Sequence, residues 1–333
     1  TSRVGVFRPV ISARSPEDRD KNIDLLLSHF HLDLDYEDTY AFLMREAEDL
    51  IGQGRYDDFV DKVIEKYKAL ESCCDFVLCI GSDLESGATA LEFDFNADVA
   101  NNLGAPVLLV TSGANRDVPA VLNVARATLD AFQERGAQVL GLIVNRAEIH
   151  QLDELRDALK KELPGEDLVL AVIPAHLTLS SPTLKDIAEQ MDAVVLYGAD
   201  QLDRLAHRYL VIAMQLHHYL DHLTENALLI TPGDRSEIVL SALQAHQSQY
   251  YPQIAGILLS GGLSPAPSVA RLLDGLPGMV PILSVQTDTY DTAARANEVR
   301  SYITVENQAK IDLSFELFAE FVDTGALEAQ ISD

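Results

Sequence analysis

The chain has 333 residues, of which 47% are hydrophobic, and its 25 Lys and Arg against 52 Asp and Glu give a formal net charge of −27. That length accommodates two domains, and the apolar fraction is typical of a globular protein. The negative charge repels phosphate backbones and anionic lipid surfaces, so neither nucleic acid nor a membrane is expected as a partner.

The three cysteines, Cys73, Cys74 and Cys79, cluster around one predicted strand. An odd, clustered set is not a disulfide framework, and it indicates reduced thiols in a cytoplasmic protein. No apolar run reaches ~18 residues, so no membrane span is predicted. No signal peptide is visible at the beginning of the sequence.

The first half of the chain alternates apolar runs with amphipathic patterns. Continuous apolar strands between amphipathic helices are typical of a doubly wound, mostly parallel α/β sheet covered on both faces. The predicted strands cover residues 4–11, 76–80, 106–110, 139–144 and 168–173, and the predicted helices cover residues 15–30, 38–51, 56–70, 95–103, 118–135 and 152–163.

A second, smaller α/β unit is predicted after a long helical pattern over residues 200–223, which we interpret as a bridge. We place the boundary near Gly198, which gives domains of residues 1–198 and 199–333. The strands of the second unit are predicted at residues 227–230, 254–259 and 280–285, and its helices at residues 236–247, 267–273, 289–299 and 307–322.

The stretch Leu228–Leu243 reads as a buried strand, a tight turn and the start of a helix. Pro232–Gly233 forms the turn, and Asp234 is predicted to cap the helix with Glu237 as its capping-box partner. Open α/β sheets bind ligands where a parallel strand ends and a helix begins. A second glycine turn, Ser260–Gly262, follows the next apolar run, and the two turns can meet at one sheet edge. The alternative is two ordinary tight turns.

Four other residues lie at or just after the ends of predicted strands and are candidates for ligand contacts. Arg8 offers a cation to an anionic ligand, although a surface arginine at a strand end is as good a reading. Ser82 and Asp83 suit a metal-bound or water-bound position in a nucleotide site, or an Asx-type turn. Asn145 can read a nucleobase edge or simply form a turn.

Several catalytic and cofactor motifs are absent from the sequence. No glycine is followed by lysine, so no phosphate-binding loop with its lysine is present in these residues. There is no Gly-x-Ser-x-Gly, no His-Glu-x-x-His and no Cys-x-x-Cys. The histidines between residues 217 and 222 suit a solvated helix better than a metal site. We therefore predict no catalytic residues, no metal and no cofactor.

Six stretches, in order along the chain, carry a resemblance to the N-terminal part of long-form bacterial phosphate acetyltransferases of the actinobacterial type. Each is weak alone, and together they cover essentially the whole sequence. They are Arg3–Pro9, the run that ends at Asp83, residues 102–109, residues 230–236, Ser260–Gly262 and residues 289–292.

The resemblance implies two domains. The first is similar to the P-loop fold of dethiobiotin synthetase, with the P-loop strand and helix expected upstream of Thr1. Arg8 departs from the lysine of the synthetase relatives, which argues against their chemistry here. The second is similar to the DRTGG-type α/β module, and five residues stand at its signature positions, with a serine in place of the threonine: Asp234, Arg235, Ser260, Gly261 and Gly262.

The resemblance also implies a function. The parent enzyme converts acetyl-CoA and phosphate into acetyl phosphate and CoA, and its acyltransfer site is expected in a C-terminal catalytic domain after Asp333. The present residues are then a non-catalytic regulatory or assembly region, with that domain as a partner, a small metabolite or nucleotide as a possible effector, and homo-oligomers expected. The alternatives are an ATP-dependent ligase of the synthetase type and a purely structural oligomerisation module.

Overall fold

The computed structural model describes residues 3–12, 19–82, 89–163, 168–276 and 279–332, with residues 89–94 and 332 described by their backbone alone. It forms a mixed α/β structure with mostly parallel sheets, which confirms the predicted fold class. Within these ranges, no helix combines the length and the apolar character that crossing a membrane requires.

Eleven strands are named in chain order: β1 Val4–Ile11, β2 Tyr40–Leu43, β3 Phe76–Cys79, β4 Val107–Ser112, β5 Val139–Ala147, β6 Val169–Pro174, β7 Val194–Tyr197, β8 Arg208–Val211, β9 Ala227–Pro232, β10 Gly256–Ser260 and β11 Ile282–Ser284. The helices are α1 Lys21–His29, α2 Met44–Gly52, α3 Tyr56–Glu71, α4 Thr89–Leu103, α5 Val118–Glu134, α6 Leu152–Glu162, α7 Leu177–Ser180, α8 Leu184–Gln190, α9 Leu216–Tyr219, α10 Ser236–His246, α11 Pro267–Leu273, α12 Thr289–Glu298, α13 Gln308–Phe321 and α14 Thr324–Ser332.

The chain divides into two compact units, which we call unit 1 (Thr1–Ala175 with Ile303–Asp333) and unit 2 (His176–Tyr302). The division falls after Ala175, whereas the sequence predicted domains of residues 1–198 and 199–333. The helices α13 and α14 belong to unit 1 because their apolar side chains pack with those of β5 and β6. A return of the chain end to the first unit leaves no local signal in the sequence.

Unit 1 contains two parallel three-stranded sheets, with strand orders β2-β1-β3 and β4-β5-β6. Helices α2, α3 and α4 pack with β1 and β2, while α5 and α6 pack on β4, β5 and β6. The helix α5 illustrates how the local sequence determines where a helix begins and which side it buries. The carboxylate of Asp117 accepts the Ala120 N–H at 3.0 Å, and buried side chains then recur at helical spacing: Val121, Leu122, Ala125, Leu129 and Phe132.

Unit 2 contains one five-stranded sheet with the order β7-β11-β10-β9-β8, in which β7 alone runs antiparallel to its neighbour. The inner strand β9 alternates its buried side chains between two clusters. Leu229 packs with α9, α10 and α11, whereas Leu228 and Ile230 pack with α8 and α12. Burial of each such side chain stabilises the fold by about 1.5–3 kcal/mol, which explains the continuous apolar run.

Two helix predictions were wrong. The helix predicted over residues 38–51 begins at Met44, because residues 40–43 pair in parallel with β1, as in the Val10–Phe42 register. Residues 200–223, predicted as a bridging helix, contain strand β8 instead, in which Tyr209 lies opposite Leu228 of β9. A short apolar run suits a strand or a helix by periodicity alone, and pairing with a distant strand decided both cases.

Candidate functional site

Arg8 lies on β1, and its guanidinium forms a buried ion pair inside unit 1. Its Nη1 donates to the Asp20 carboxylate at 2.7 Å, and the two side chains are only 4% and 3% exposed. The same carboxylate caps α1 by accepting the N–H groups of Asn22 and Ile23 at 3.0 and 3.2 Å. Arg8 therefore fastens the start of α1 to the sheet.

Ser82 follows β3 and is also held inside unit 1. The Val10 N–H donates to its hydroxyl oxygen at 2.9 Å, and its own N–H donates to the Asn96 side chain at 2.9 Å. The Asn96 amide donates back to the Ser82 carbonyl at 3.0 Å. These bonds tie the segment after β3 to β1 and α4. Asp83, the neighbouring candidate, lies outside the described residues.

Asn145 lies near the carboxyl end of β5, beside two arginines that the sequence analysis did not name. Its carbonyl accepts the Gly113 N–H, and its side-chain oxygen accepts the Arg146 N–H, both at 2.8 Å. Arg146 adopts a φ of 59° and donates to the Ser112 hydroxyl at 3.1 Å. Arg116 donates to the Ser112 carbonyl at 2.7 Å.

Arg116 and Arg146 are both exposed at the carboxyl ends of β4 and β5. Both guanidinium groups bond to Ser112, and neighbouring guanidinium groups suit a carboxylate or a phosphate group. Two sequence signals could have identified these arginines. Arg146 directly follows an asparagine at a strand end, and Arg116 ends the turn Gly113–Arg116 after the preceding strand. The backbone strain at Arg146 is of the kind that surrounding contacts must maintain.

In unit 2, the turns that follow β9 and β10 meet at one sheet edge. The Gly233 N–H donates to the Ser260 carbonyl at 3.3 Å, because β9 and β10 are adjacent parallel strands. A third turn, after β11, joins them: Gly261 N–H donates to Thr287 O at 2.7 Å and Gly262 N–H donates to Val285 O at 2.9 Å. The sequence analysis missed this third turn, which contains no glycine.

One of these glycines is required by the close approach of backbone atoms, and a second by its left-handed backbone conformation. A Cβ on Gly233 would lie 1.9 Å from the Leu263 carbonyl oxygen. Gly262 has a φ of +65°, and a Cβ there would lie 2.5 Å from the Gln286 side-chain oxygen. The three turns, Pro232–Arg235, Ser260–Leu263 and Gln286–Thr289, therefore interlock through backbone atoms, and we call them the turn cluster.

Arg235 connects the turn cluster to the end of β8. Its Nη1 and Nη2 donate to the carbonyls of Ile212 and Met214, both at 3.3 Å, and its Nε donates to the Glu237 carboxylate at 2.9 Å. The pKa of Glu237 is lowered, first by its own backbone N–H and then by the Arg235 guanidinium. The charge of Arg235 is thus partly balanced within the unit.

The predicted capping role of Asp234 was wrong. The helix α10 begins at Ser236 with Arg235 at the capping position, and no side chain caps it there. Because the helix starts two residues after Asp234, that carboxylate stands outside the first turn and is exposed. The predicted partner, Glu237, contacts the Arg235 guanidinium instead.

Hydroxyl groups line the same edge of unit 2. Ser260 Oγ and Thr289 Oγ1 lie 2.8 Å apart, and Thr287 Oγ1 lies 2.8 Å from Thr292 Oγ1. Thr292 also donates to the Asp288 carbonyl at 2.6 Å. The cluster thus combines small hydroxyls, backbone amides and one guanidinium. Among the described residues, no group of three or more His, Cys, Asp or Glu side chains is arranged to hold a metal ion.

Two family models match the chain. An AAA domain model matches residues 1–183, and a DRTGG domain model matches residues 186–299. The first covers more than half of the sequence. The second contains the whole turn cluster and the strands that carry it.

Curated relatives match nearly the full chain. The phosphate acetyltransferase of Nitratidesulfovibrio vulgaris is 39% identical over 99% of the chain and 47% of its own length. That of Synechocystis sp. is 36% identical over 97% of the chain and 46% of its own length. The chain therefore spans about half the length of the curated relatives it matches.

One solved structure shares local likeness. It is the regulatory region of Clostridium perfringens pyrophosphatase, with CBS and DRTGG domains, complexed with the activator diadenosine tetraphosphate. The TM-score is 0.30 with 11% identity, covering 63% of this chain and 86% of that one. A TM-score and an identity this low support no conclusion about the present chain.

Proposed function

The chain belongs to the AAA domain family, and from that premise we propose that it is a non-catalytic regulatory and assembly region of a phosphate acetyltransferase. The observation that carries the proposal is similarity over 99% of the chain to 47% of a phosphate acetyltransferase, at 39% identity. The proposed parent reaction converts acetyl-CoA and phosphate into acetyl phosphate and CoA. Its catalytic domain lies in the remaining half of such a polypeptide.

The geometry of unit 1 supports a role other than catalysis. The two polar side chains that sequence patterns marked at the ends of β1 and β3, Arg8 and Ser82, are buried and make structural bonds. A catalytic group must be within hydrogen-bond reach of a substrate atom. Side chains held in this way stabilise the sheet and present nothing to a substrate.

The turn cluster of unit 2 supports a role in effector response. Its turns, with the hydroxyls of Ser260 and Thr289 and the Arg235 guanidinium, lie at the carboxyl edge of a parallel sheet, where small ligands bind in open α/β folds. Arg235 links the cluster to the backbone at Ile212 and Met214. A ligand that draws the guanidinium away from those carbonyls would release the end of β8. We propose a small metabolite or nucleotide as that effector.

Coupling requires that the effector bind two conformations of the polypeptide with different affinity. The proposed two-state element is the segment from β8 to α9, which Arg235 holds at Ile212 and Met214. A coupling of 1–3 kcal/mol is typical of allosteric proteins and corresponds to about a 5- to 150-fold change in affinity. A homo-oligomer in which unit 2 contributes to assembly would transmit the change to other subunits.

The test compares the full-length polypeptide that contains these residues with a form lacking residues 1–333. Acetyl-CoA formation is measured with a set of nucleotides and central metabolites, and molecular mass is measured by light scattering. We expect the truncated form to retain turnover and to lose an effector response, a change in assembly, or both. Unchanged effector response together with unchanged mass would contradict the proposal.

A matched pair of variants places the response within unit 2. Arg235→Ala removes the guanidinium of the turn cluster, whereas Arg271→Ala removes an exposed guanidinium from α11 of the same unit. We expect the effector concentration for half-maximal response to change in Arg235→Ala alone. Equal effector concentrations for half-maximal response in the two variants would show that the effector does not act through the turn cluster.

A further inference from the structure

Two neighbouring cysteines lie in the turn between α3 and β3 of unit 1. Cys73 is exposed and Cys74 is half-buried, and their Sγ atoms are 3.9 Å apart. Both residues follow Glu71, where α3 ends, and precede Phe76, where β3 begins. The turn therefore presents two thiols side by side, one of them at the surface.

Backbone contacts hold the two cysteines in place. The Cys73 N–H donates to the Leu70 carbonyl at 3.1 Å, and the Cys74 N–H donates to the Glu71 carbonyl at 3.2 Å. The Cys73 thiol donates to the Leu70 carbonyl at 3.0 Å. The Cys74 sulfur packs beside Gly5 of β1, where an added Cβ would lie 2.9 Å from it. The fold therefore fixes the separation of the two sulfurs.

Covalent geometry disfavours a disulfide between these two residues. The peptide bonds of the described residues are trans. Across a trans peptide the Cα atoms are about 3.8 Å apart, whereas the Cα atoms of a disulfide are usually separated by about 4.4 Å or more. A bond between the sulfurs of Cys73 and Cys74 would be strained, so the pair favours the dithiol form.

One thiophilic atom can bond both sulfurs where they stand. With bonds of about 2.3 Å, as between zinc and sulfur, a separation of 3.9 Å gives an angle of about 116° at the bound atom. Structural zinc takes four ligands, and no group of three or more His, Cys, Asp or Glu is arranged for a metal in the described part of the chain. Two thiols alone suit a soft centre of lower coordination number, such as Cu(I) or trivalent arsenic.

Protonation and charge favour arsenic over Cu(I). Burial raises the pKa of the Cys74 thiol, and its hydrogen bond with Cys73 raises it further, so this sulfur is protonated at neutral pH. Cu(I) on two thiolates carries a charge of about −1 and must release both protons to solvent. An oxide of trivalent arsenic brings an oxygen that accepts both protons, and its dithiolate is neutral. A chain with a formal charge of −27 favours the neutral product.

We propose that Cys73 and Cys74 form a binding site for trivalent arsenic compounds, in which one arsenic atom bonds both sulfurs. With phenylarsine oxide, each sulfur forms a bond to arsenic, the bonds between arsenic and oxygen break, and the oxygen leaves as water with the two thiol protons. Arsenic remains trivalent, so the step needs no oxidant or reductant. The site concerns unit 1 alone and does not depend on the proposed regulatory function.

Cys79, the remaining cysteine of the sequence, provides the matched control. It lies on β3, three residues beyond Phe76 and therefore about 10 Å further along the strand. Two bonds to one arsenic atom cannot span that distance. Burial also raises the pKa of Cys79 to about 12. An arsenic atom bound at the turn therefore leaves Cys79 unreacted.

Intact mass measurement tests which sulfurs bind. The reduced 333-residue chain, freed of reductant, is titrated with phenylarsine oxide beside Cys73→Ala, Cys74→Ala and Cys79→Ala. We expect wild type and Cys79→Ala to gain one phenylarsine oxide less one water. Loss of either sulfur of the pair removes the second bond, so affinity should fall by at least about 100-fold. An undiminished adduct in Cys73→Ala, whose side chain is exposed, would overturn the proposal, and so would loss of the adduct in Cys79→Ala.

Thermal unfolding distinguishes a site made by the fold from the reactivity of any two adjacent cysteines. A ligand that binds the folded state more tightly than the unfolded state raises Tm. We expect phenylarsine oxide to raise the Tm of wild type and of Cys79→Ala and to leave that of Cys73→Ala unchanged. An unchanged or lowered Tm in wild type would show that the fold does not prepare the pair, which contradicts the proposal.

Discussion

Replacing Gly233 with alanine should destabilise unit 2, because the turn after β9 has no room for a Cβ. The added atom would lie 1.9 Å from the Leu263 carbonyl oxygen and 2.6 Å from its carbonyl carbon. The backbone must therefore separate and weaken the bond from the Gly233 N–H to the Ser260 carbonyl. Overpacking costs about 1–3 kcal/mol and a lost hydrogen bond about 0.5–1.5 kcal/mol, so we expect a loss of about 2–4 kcal/mol.

The control is Gly275→Ala in the same unit, where the added Cβ would lie 3.6 Å from the Leu272 carbonyl oxygen, an ordinary van der Waals contact. Alanine there should leave stability unchanged or raise it by about 0.4–1 kcal/mol through the unfolded state. Thermal unfolding followed by circular dichroism should show Tm lowered by at least about 4 °C for Gly233→Ala alone. Hydrogen exchange of β9 assigns the change to unit 2. Similar Tm values for the two variants would refute the reasoning.

Three further predictions concern single contacts. Arg8→Met leaves the Asp20 carboxylate buried without its guanidinium, so urea titration should show a loss of about 3–5 kcal/mol. Adding Asp20→Asn removes the buried charge and keeps the cap of α1, so the double variant should recover much of that loss, and an undiminished loss would contradict this. Burial lowers the pKa of His246 below its ordinary 6.5, and its Nδ1 accepts the Ile254 N–H at 3.2 Å. As the pH falls, the unfolded state therefore takes up the imidazole proton before the folded state does. Tm should fall between neutral pH and about 5, and the dependence of Tm on pH should be weaker in His246→Gln. Arg235→Ala should cost about 1–3 kcal/mol and speed hydrogen exchange at the end of β8, and unchanged exchange there would count against the link.

The strand and helix alternation was predictable because its causes are local. The run Leu228–Ile230 is apolar at every position since β9 is covered on both faces. β2 and β8 were not predictable, because their strand state depends on pairing with residues far away in the sequence, Val10 and Leu228 among them. Local periodicity in a short run does not distinguish the two states.

Only the part of the turn cluster that has local sequence signals was predictable. Gly233 and Gly262 mark the first two turns in the sequence, whereas the third, at Gln286–Thr289, has no glycine or proline to mark it. The role of Arg8 depended on Asp20, a partner brought close by the fold. The contacts of Arg235 with Ile212 and Met214 likewise cross from one strand end to another. Sequence patterns identified the residue and tertiary structure determined its partner.

The same limit applies to the neighbours of β3 and β4, which the structure places at the edges of two different sheets of unit 1. The sequence predicts β3 and β4 as consecutive strands joined by α4, which is equally compatible with direct pairing. Only the structure shows that Phe76, Leu78 and Val110 are exposed beside a common cavity. Which strands are neighbours is a property of the whole sheet, and local propensity carries no information about it.

The central claim, that these residues regulate or assemble an acyltransferase without performing its chemistry, is tested most directly by the turnover of the purified 333-residue chain. The rate of acetyl-CoA formation from acetyl phosphate and CoA is measured beside that of the full-length polypeptide at equal molar concentration. We predict no rate above the uncatalysed background for the chain and sustained turnover for the full-length polypeptide. Sustained turnover by the 333-residue chain alone would contradict the claim.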